Sequence, residues 1–259
     1  MASELSPAEI LVEVVESPRR AYAMLDDLRV IDRPGWIQLI TPSFRQGGFN
    51  EVAHAELAAE DADQVIAATI AEYRALGIKF RWVVGPGSRP ADLGERLARA
   101  GLVASYARGM ARSTEMPTEA AGHAITVEPV DLANVDVYTR AMAEGWATDP
   151  GPLARAHAAV LAETPRTQHL FLARVDGEPA ASAAYVAFPR SAYLLGGVVL
   201  PRFRRRGVYH ALVAHRLADA RARGITLATS RAAEESSAPL LERLGFATVC
   251  RFASYTLTP

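Results

Sequence analysis

The chain has 259 residues, half of them hydrophobic, with 28 basic against 29 acidic side chains and a net charge of −1. That length accommodates one large or two small domains around a sizeable core, and the near-neutral balance excludes a general pull toward nucleic acid, whose binders carry a basic face and a high pI. The lone cysteine, Cys250, excludes an internal disulfide, no apolar run approaches membrane-spanning length, and the N-terminus shows no charged-then-apolar leader pattern.

The expectation is therefore a reduced, cytoplasmic protein with no membrane partner, in which Cys250 is a small buried residue of a strand rather than a nucleophile. Residues 7–28 read as one or two helices broken at Ser17-Pro18, with Ser17 as N-cap and Pro18 at the first helical position. Strands are expected at 36–40 and 49–57, a helix at 61–76 stopped by Gly77, a strand at 80–84, a helix at 90–100 and a strand at 102–112. Few large apolar residues occur around Pro117 and Gly122, so 117–123 reads as a linker between domains 1–116 and 124–259. The second half runs strand 124–130, helices 132–145 and 152–163, and a hairpin 170–174/180–188 turning at Asp176-Gly177. A buried strand to Leu200, a helix to Gly224, a strand at 226–230, a helix at 236–244 and a strand at 248–257 complete the chain. Such alternation is an α/β arrangement around a mixed sheet.

The stretch between strand and helix, Pro201-Arg202-Phe203-Arg204-Arg205-Arg206-Gly207-Val208, places its charge oddly. A helix N-terminus carries partial positive charge, so cations there are unfavourable. Arginines at that end are explained by an anion held on backbone N–H groups, with Gly207 permitting close approach and guanidinium groups flanking it. On the helix that follows, Tyr209, Val213, Leu217 and Ala220 share one face.

These residues resemble the P-x-[YF]-R-x-R-G-[IV] core of the GCN5-related N-acetyltransferases (GNAT), and Arg204-x-x-Gly207 fits the first half of their acetyl-CoA loop, [RQ]-x-x-G-x-[GA]. Tyr209 stands where that loop has a small residue. Ser237-Ala238-Pro239-Leu240-Leu241-Glu242-Arg243-Leu244-Gly245-Phe246 resembles the family's second motif, A-x-x-L-Y-E-x-L-G-F, with Leu241 at the tyrosine. The resemblance implies a GNAT-like fold: an α/β (α+β), mixed and mostly antiparallel twisted sheet flanked by helices. It also implies acetyl-CoA as co-substrate, with no metal. The pyrophosphate would lie on Arg204, Arg205, Arg206, Gly207 and Val208, with Tyr209, His210 and Ser237 nearby. A backbone N–H near Val198–Val199 would meet the thioester carbonyl, with pantetheine between that strand and 226–230.

The two halves echo each other. Leu76-Gly77-Ile78 matches Arg223-Gly224-Ile225, and Ala100-Gly101-Leu102 matches Leu244-Gly245-Phe246, in the same strand–helix–strand–helix–strand order. A duplicated half is the reading, its first copy lacking strands before residue 35. Where the second copy has its arginines, the first has Ala58-Ala59-Glu60-Asp61, which would repel a pyrophosphate. The first copy thus resembles the degenerate N-terminal half of tandem GNAT proteins.

Gly85-Pro86-Gly87-Ser88-Arg89-Pro90 lacks the third glycine of a dinucleotide fingerprint, and His210 and His215, five apart, do not form a metal-binding i,i+4 pair. In the family a tyrosine at Leu241 often protonates the thiolate and a glutamate on the preceding strand often serves as base; here Tyr193 stands on that strand. The candidates for these roles are Tyr209, Tyr255 and His210 as acid, and Glu144, Asp149, Glu234 and Glu235 as base, with Trp146 lining an acceptor pocket or packing in the core. The leading expectation is acetyl transfer to a small primary amine. The alternatives are a CoA-binding sensor or scaffold without catalysis, and an acyltransferase acting on a protein amine. Oligomeric state is open.

Overall fold

A computed structural model describes residues 5–22, 25–116 and 124–257. The chain forms two compact units. Of the described residues, the first comprises those within 5–110, 231–240 and 248–257; the second comprises those within 111–230 and 241–247. The expected linker, 117–123, lies outside the described residues.

In the first unit, helix α1 (Pro7–Arg19) begins at Ser6. Its hydroxyl accepts from the Glu9 amide while the Glu9 carboxylate accepts from the Ser6 amide. This capping box, with Pro7 following, starts one uninterrupted helix. The expected break at Ser17-Pro18 does not occur. Pro18 falls in the last turn, and α1 ends one residue beyond it. Strands β1 (Arg29–Arg33) and β2 (Trp36–Ile40) form a hairpin through Pro34-Gly35, where Gly35 takes φ 72°. This strand before residue 35 was not expected: its alternation is blunted by charged Arg29, Asp32 and Arg33, all polar on an edge strand.

Strand β3 (Glu51–Ala55), helix α2 (Ala62–Leu76) and strand β4 (Arg81–Val84) make a parallel crossover. Helix α3 (Leu93–Arg99) and strand β5 (Leu102–Ser113) follow. The unit's strands lie in the order β1-β2-β3-β4-β11-β5, β11 being the C-terminal strand Ala247–Leu257. Trp36, Ile66, Tyr73, Phe80, Trp82 and Leu97 fill its core, with Tyr73 stacked on Phe80 at 4.1 Å.

The second unit holds β6 (Ile125–Pro129), α4 (Val135–Trp146), α5 (Pro150–Ala162), β7 (Gln168–Val175), β8 (Glu178–Ala187), β9 (Ser191–Val199), α6 (Val208–Ala222) and β10 (Leu227–Ala233). Helix α7 (Ser237–Arg243) precedes β11. The strand order is β10-β9-β8-β7-β6, all neighbours antiparallel except β9 with β10. Asp176 and Gly177 both take positive φ, 52° and 82°, as a two-residue hairpin turn requires. Helices α4 and α6 both pack on β8 and β9, burying β9 from Ser191 to Leu194 and leaving Leu195–Gly197 partly exposed. The sheet is mixed and mostly antiparallel, flanked by helices, as expected.

The internal echo extends to backbone geometry. Helices α2 and α6 each span 15 residues and are followed by left-handed glycines, Gly77 (φ 65°) and Gly224 (φ 80°). In both cases the next amide reaches back to close the helix, Ile78 to Tyr73 and Ile225 to Ala220. Gly101 (φ 91°) and Gly245 (φ 81°) follow the seven-residue helices α3 and α7 in the same way.

Candidate functional site

The site begins with an irregularity in β9. Along β8 the register runs Ser182 to Val198 and then Ala184 to Leu195, so Ala183 faces both Gly196 and Gly197. This is a bulge, and Gly196 adopts φ 63°, a conformation that side chains rarely take. The parallel ladder to β10 ends at Leu194 and Ser230, while β9 continues to Val199 paired with β8 alone. The segment from Leu195 to Val199 therefore leaves its parallel neighbour where the sequence placed the thioester contact. Helix α4 approaches closely here. A side chain at Gly145 would come within 2.6 Å of Val198, so glycine is what lets the helix lie on the strand.

Beyond Leu200 the chain makes a 3-10 turn, Pro201–Phe203, whose Phe203 is buried. The guanidinium groups of Arg202 and Arg206 lie over its ring at 5.0 and 5.6 Å, so one buried aromatic splays two cations. Arg204 returns its Nε to the Val199 carbonyl at 3.2 Å. Arg205 takes φ 61° and Gly207 φ 80° before α6 begins at Val208. No side chain caps this helix, so its leading N–H groups remain available to a ligand. A side chain at Gly207 would meet only Ile125, at 3.8 Å; the glycine serves the backbone turn.

A concavity of 330 Å³ opens beside this loop, lined by Arg140, Glu144, Arg174, Leu200 and Arg202 among others. Glu144 pairs with Arg202 at 2.5 Å, and Arg206 pairs with Asp176 at 3.3 Å. Of the three lining arginines, Arg202 is paired with Glu144 and Arg174 with Glu128 at 2.9 Å.

The structure sorts the candidate residues. Val198, Val199, Arg204, Arg205, Arg206, Gly207, Val208, Tyr209 and His210 form one continuous strand–loop–helix segment of the second unit, and Glu144 reaches it through Arg202. Glu234 and Ser237 lie in the first unit. Glu234 is held by Arg251 and by Arg108, which keep its carboxyl below the usual range, a poor setting for a base. Tyr255 packs in the first unit's core with its hydroxyl against Gly94. Leu241 is buried. Trp146, the last residue of α4, is 56% exposed, which removes core packing as its explanation. Cys250 is half-buried and its thiol is pushed up to about 11, in keeping with a structural residue. Among the described residues no group of His, Cys, Asp and Glu is arranged to hold a metal, and no helix is long and apolar enough to cross a membrane.

One residue escaped the sequence reading. Arg216 lies seven positions after Tyr209, on the buried stripe of α6, and is only 1% exposed. Its guanidinium donates to the carbonyls of Leu212 (3.1 Å), Ala184 (3.0 Å) and Leu195 (3.5 Å). An arginine at a position where the helical period demands an apolar residue was the available signal.

With this geometry in hand, residues 133–246 match the family model described as the acetyltransferase (GNAT) family. The whole chain superposes on a GCN5-related N-acetyltransferase from Kribbella flavida with TM-score 0.70 and 15% identity, covering 96% of each chain. A GCN5-related N-acetyltransferase from Sphaerobacter thermophilus gives 0.62 at 15% identity, over 99% of this chain and 94% of that one. A tandem GNAT protein from the clavulanic acid biosynthesis pathway gives 0.58 at 12% identity, over 96% and 94%. At these identities the likeness is one of fold. No curated protein matches the sequence.

Proposed function

Because the chain belongs, through residues 133–246, to the acetyltransferase (GNAT) family, we propose that it moves an acetyl group from acetyl-CoA to the primary amine of a small molecule, by direct attack in a ternary complex. The observation that carries this reading is the junction of β9 and α6. A bulged strand leaves its parallel neighbour, and directly after it an uncapped 15-residue helix opens on a left-handed glycine behind consecutive arginines. A pyrophosphate on the amides of Arg206, Gly207 and Val208 would gain the helix dipole, and the side chains of Arg204, Arg205 and Arg206 would add charge-assisted bonds.

In this reading the thioester carbonyl meets a backbone N–H near Val198–Val199 as it becomes an oxyanion, and the amine attacks from the side of α4. Tyr209 protonates the departing sulfur. The amine loses its proton to water or to Glu144, which must first release Arg202. Acetyl-CoA supplies the activated acyl group; the chain's own residues hold it and manage the protons. A small acceptor is favoured because the concavity beside the loop, at 330 Å³, is of small-molecule size.

A second reading has a specific observation behind it. Leucine stands buried at position 241, Glu144 is salt-bridged, and Glu234 is doubly salt-bridged, so the usual acid is absent and two of the four candidate bases are engaged. A CoA-binding sensor without catalysis would tolerate all three. The experiment that separates the two is incubation with acetyl-CoA and a panel of small amines while released thiol is followed. Amine-dependent thiol release is expected; tight CoA binding with no release on any amine would establish the sensor instead.

A further inference from the structure

Directly against the β9 bulge, the second unit encloses a cation that no carboxylate neutralises. Among the described residues Arg216 has no carboxylate within ion-pair distance; it donates to the carbonyls of Leu212, Ala184 and Leu195, and the Tyr209 ring lies beside it at Gly197. A buried guanidinium without a counter-ion is an expensive way to fill a core position that leucine would fill well. Its placement is specific. Ala184 and Leu195 are register partners at the edge of the bulge, so Arg216 donates to carbonyls on both strands where the ladder becomes irregular. A side chain at Gly197 would lie 3.3 Å from the Tyr209 ring and 3.7 Å from Arg216 Nη2, which puts phenol and guanidinium side by side against the bulged strand.

The chemistry of the two groups limits how they can meet beside Gly197. A guanidinium only donates, so toward Arg216 the Tyr209 oxygen can act only as an acceptor, and the phenolic proton remains to be donated elsewhere. We propose that Arg216 is a positioning residue for acyl transfer: it holds the β9 bulge from the α6 side and orients Tyr209 so that the phenol's proton faces outward, toward the leaving sulfur. This rests on the acetyltransferase reading above. In the step itself the amine nitrogen forms a bond to the carbonyl carbon, the carbon–sulfur bond breaks, and the sulfur takes the Tyr209 proton. Arg216 stabilises the resulting phenolate until it recovers a proton from water, which receives the one lost by the amine. Burial raises the Tyr209 phenol, and the adjacent guanidinium pulls in the opposite direction. The other ionisable group facing Arg216 is Tyr138, on α4.

The test uses the full chain and four variants: Arg216→Met, Arg216→Lys, Tyr209→Phe and Tyr138→Phe. Tyrosine titration by ultraviolet difference, with Tyr209→Phe identifying the relevant phenol, is read beside kcat and KM on any amine that releases thiol. Arg216→Met is expected to move the Tyr209 titration to higher pH, to carry the alkaline limb of kcat with it, and to lower kcat about tenfold or more with KM for acetyl-CoA within about threefold. Arg216→Lys is expected to restore part of both, and Tyr138→Phe to change neither. An unmoved Tyr209 titration in Arg216→Met overturns the pairing whether or not any amine is acetylated, whereas failure of turnover in the wild type alone overturns only the acetyltransferase reading. If Arg216→Met does not fold, Tyr209→Phe and Arg216→Lys decide. Tyr209→Phe retaining kcat and the alkaline limb, or Arg216→Lys losing activity with no shift in the limb, overturns the proposal.

Discussion

Consecutive guanidinium groups at the start of a helix repel one another and the peptide dipoles behind them. Arg204, Arg205 and Arg206 are nevertheless exposed there, and the fold invests a buried Phe203 and a left-handed Gly207 in holding them in place. Internal carboxylates relieve only part of the charge, through Asp176 on Arg206 and Glu144 on Arg202. The Arg204→Glu/Arg206→Glu double variant is therefore expected to weaken coenzyme A binding at least tenfold in calorimetry, since each lost charge-assisted contact is worth about 1.5–3 kcal/mol. Glu60→Ala, at the acidic counterpart in the first copy, should leave the affinity unchanged, and equal effects at the two sites would contradict the assignment. This loop could be read from sequence because it violates a local rule, and the violation sits between a strand and a helix. The acid and base could not. Glu234 and Tyr255 are near the loop's motif in sequence but belong to the first unit, and only the packed structure reveals their partners. Arg216 was hidden differently: a stripe of Tyr209, Val213, Leu217 and Ala220 reads as apolar with or without it.

Helix ends with chemical punctuation were legible, as the glycines after α2, α6, α3 and α7 show. Ser17-Pro18 looked like punctuation of the same kind, but a proline in the last turn of α1 forfeits little, because the helix was about to end. β1 was missed because charged residues occupy an edge strand that only its hairpin partner defines. The pairing of α4 with α5 carries its own test. His157 of α5 is buried, with Nδ1 2.7 Å from the Thr139 hydroxyl and its ring edge-on to Tyr138, and burial pushes its pKa down to about 4 from an ordinary 6.5. Because the unfolded chain takes up the proton first, the contribution is complete above the ordinary value and drains away as pH falls through 6.5 toward 4. Between pH 7 and pH 5 the wild type should lose on the order of 2 kcal/mol more than His157→Leu, measured by urea denaturation. Parallel pH dependence in the two proteins would mean that the imidazole is hydrated after all.

At the scale of the molecule, sequence order and packing order diverge. We propose 1–116 and 124–259 as the two copies of the duplication, with the first copy degenerate, yet residues 248–257 pack in the first unit. There β11 pairs antiparallel with β4 over Arg81–Val84, on the side of β4 away from β3. Its Phe252 fills the space above Gly85 and Gly109, where any side chain on either glycine would collide with the ring. Its Tyr255 does the same at Gly94 of α3. The three glycines are thus shaped around aromatics contributed from the far end of the chain, a complementarity no local pattern in either copy could announce. Removing residues 247–259 should accordingly leave β4 with a bare edge and two holes in the surrounding packing, the loss of buried Phe252 alone being worth about 3–5 kcal/mol. The shortened chain is expected to lose hydrogen-exchange protection throughout β3, β4 and α3, including residues more than 150 positions from the cut. Protection confined to its wild-type level in those elements would show that the first copy folds without the last strand, and the duplication would then be two self-sufficient domains rather than two halves that exchange their ends.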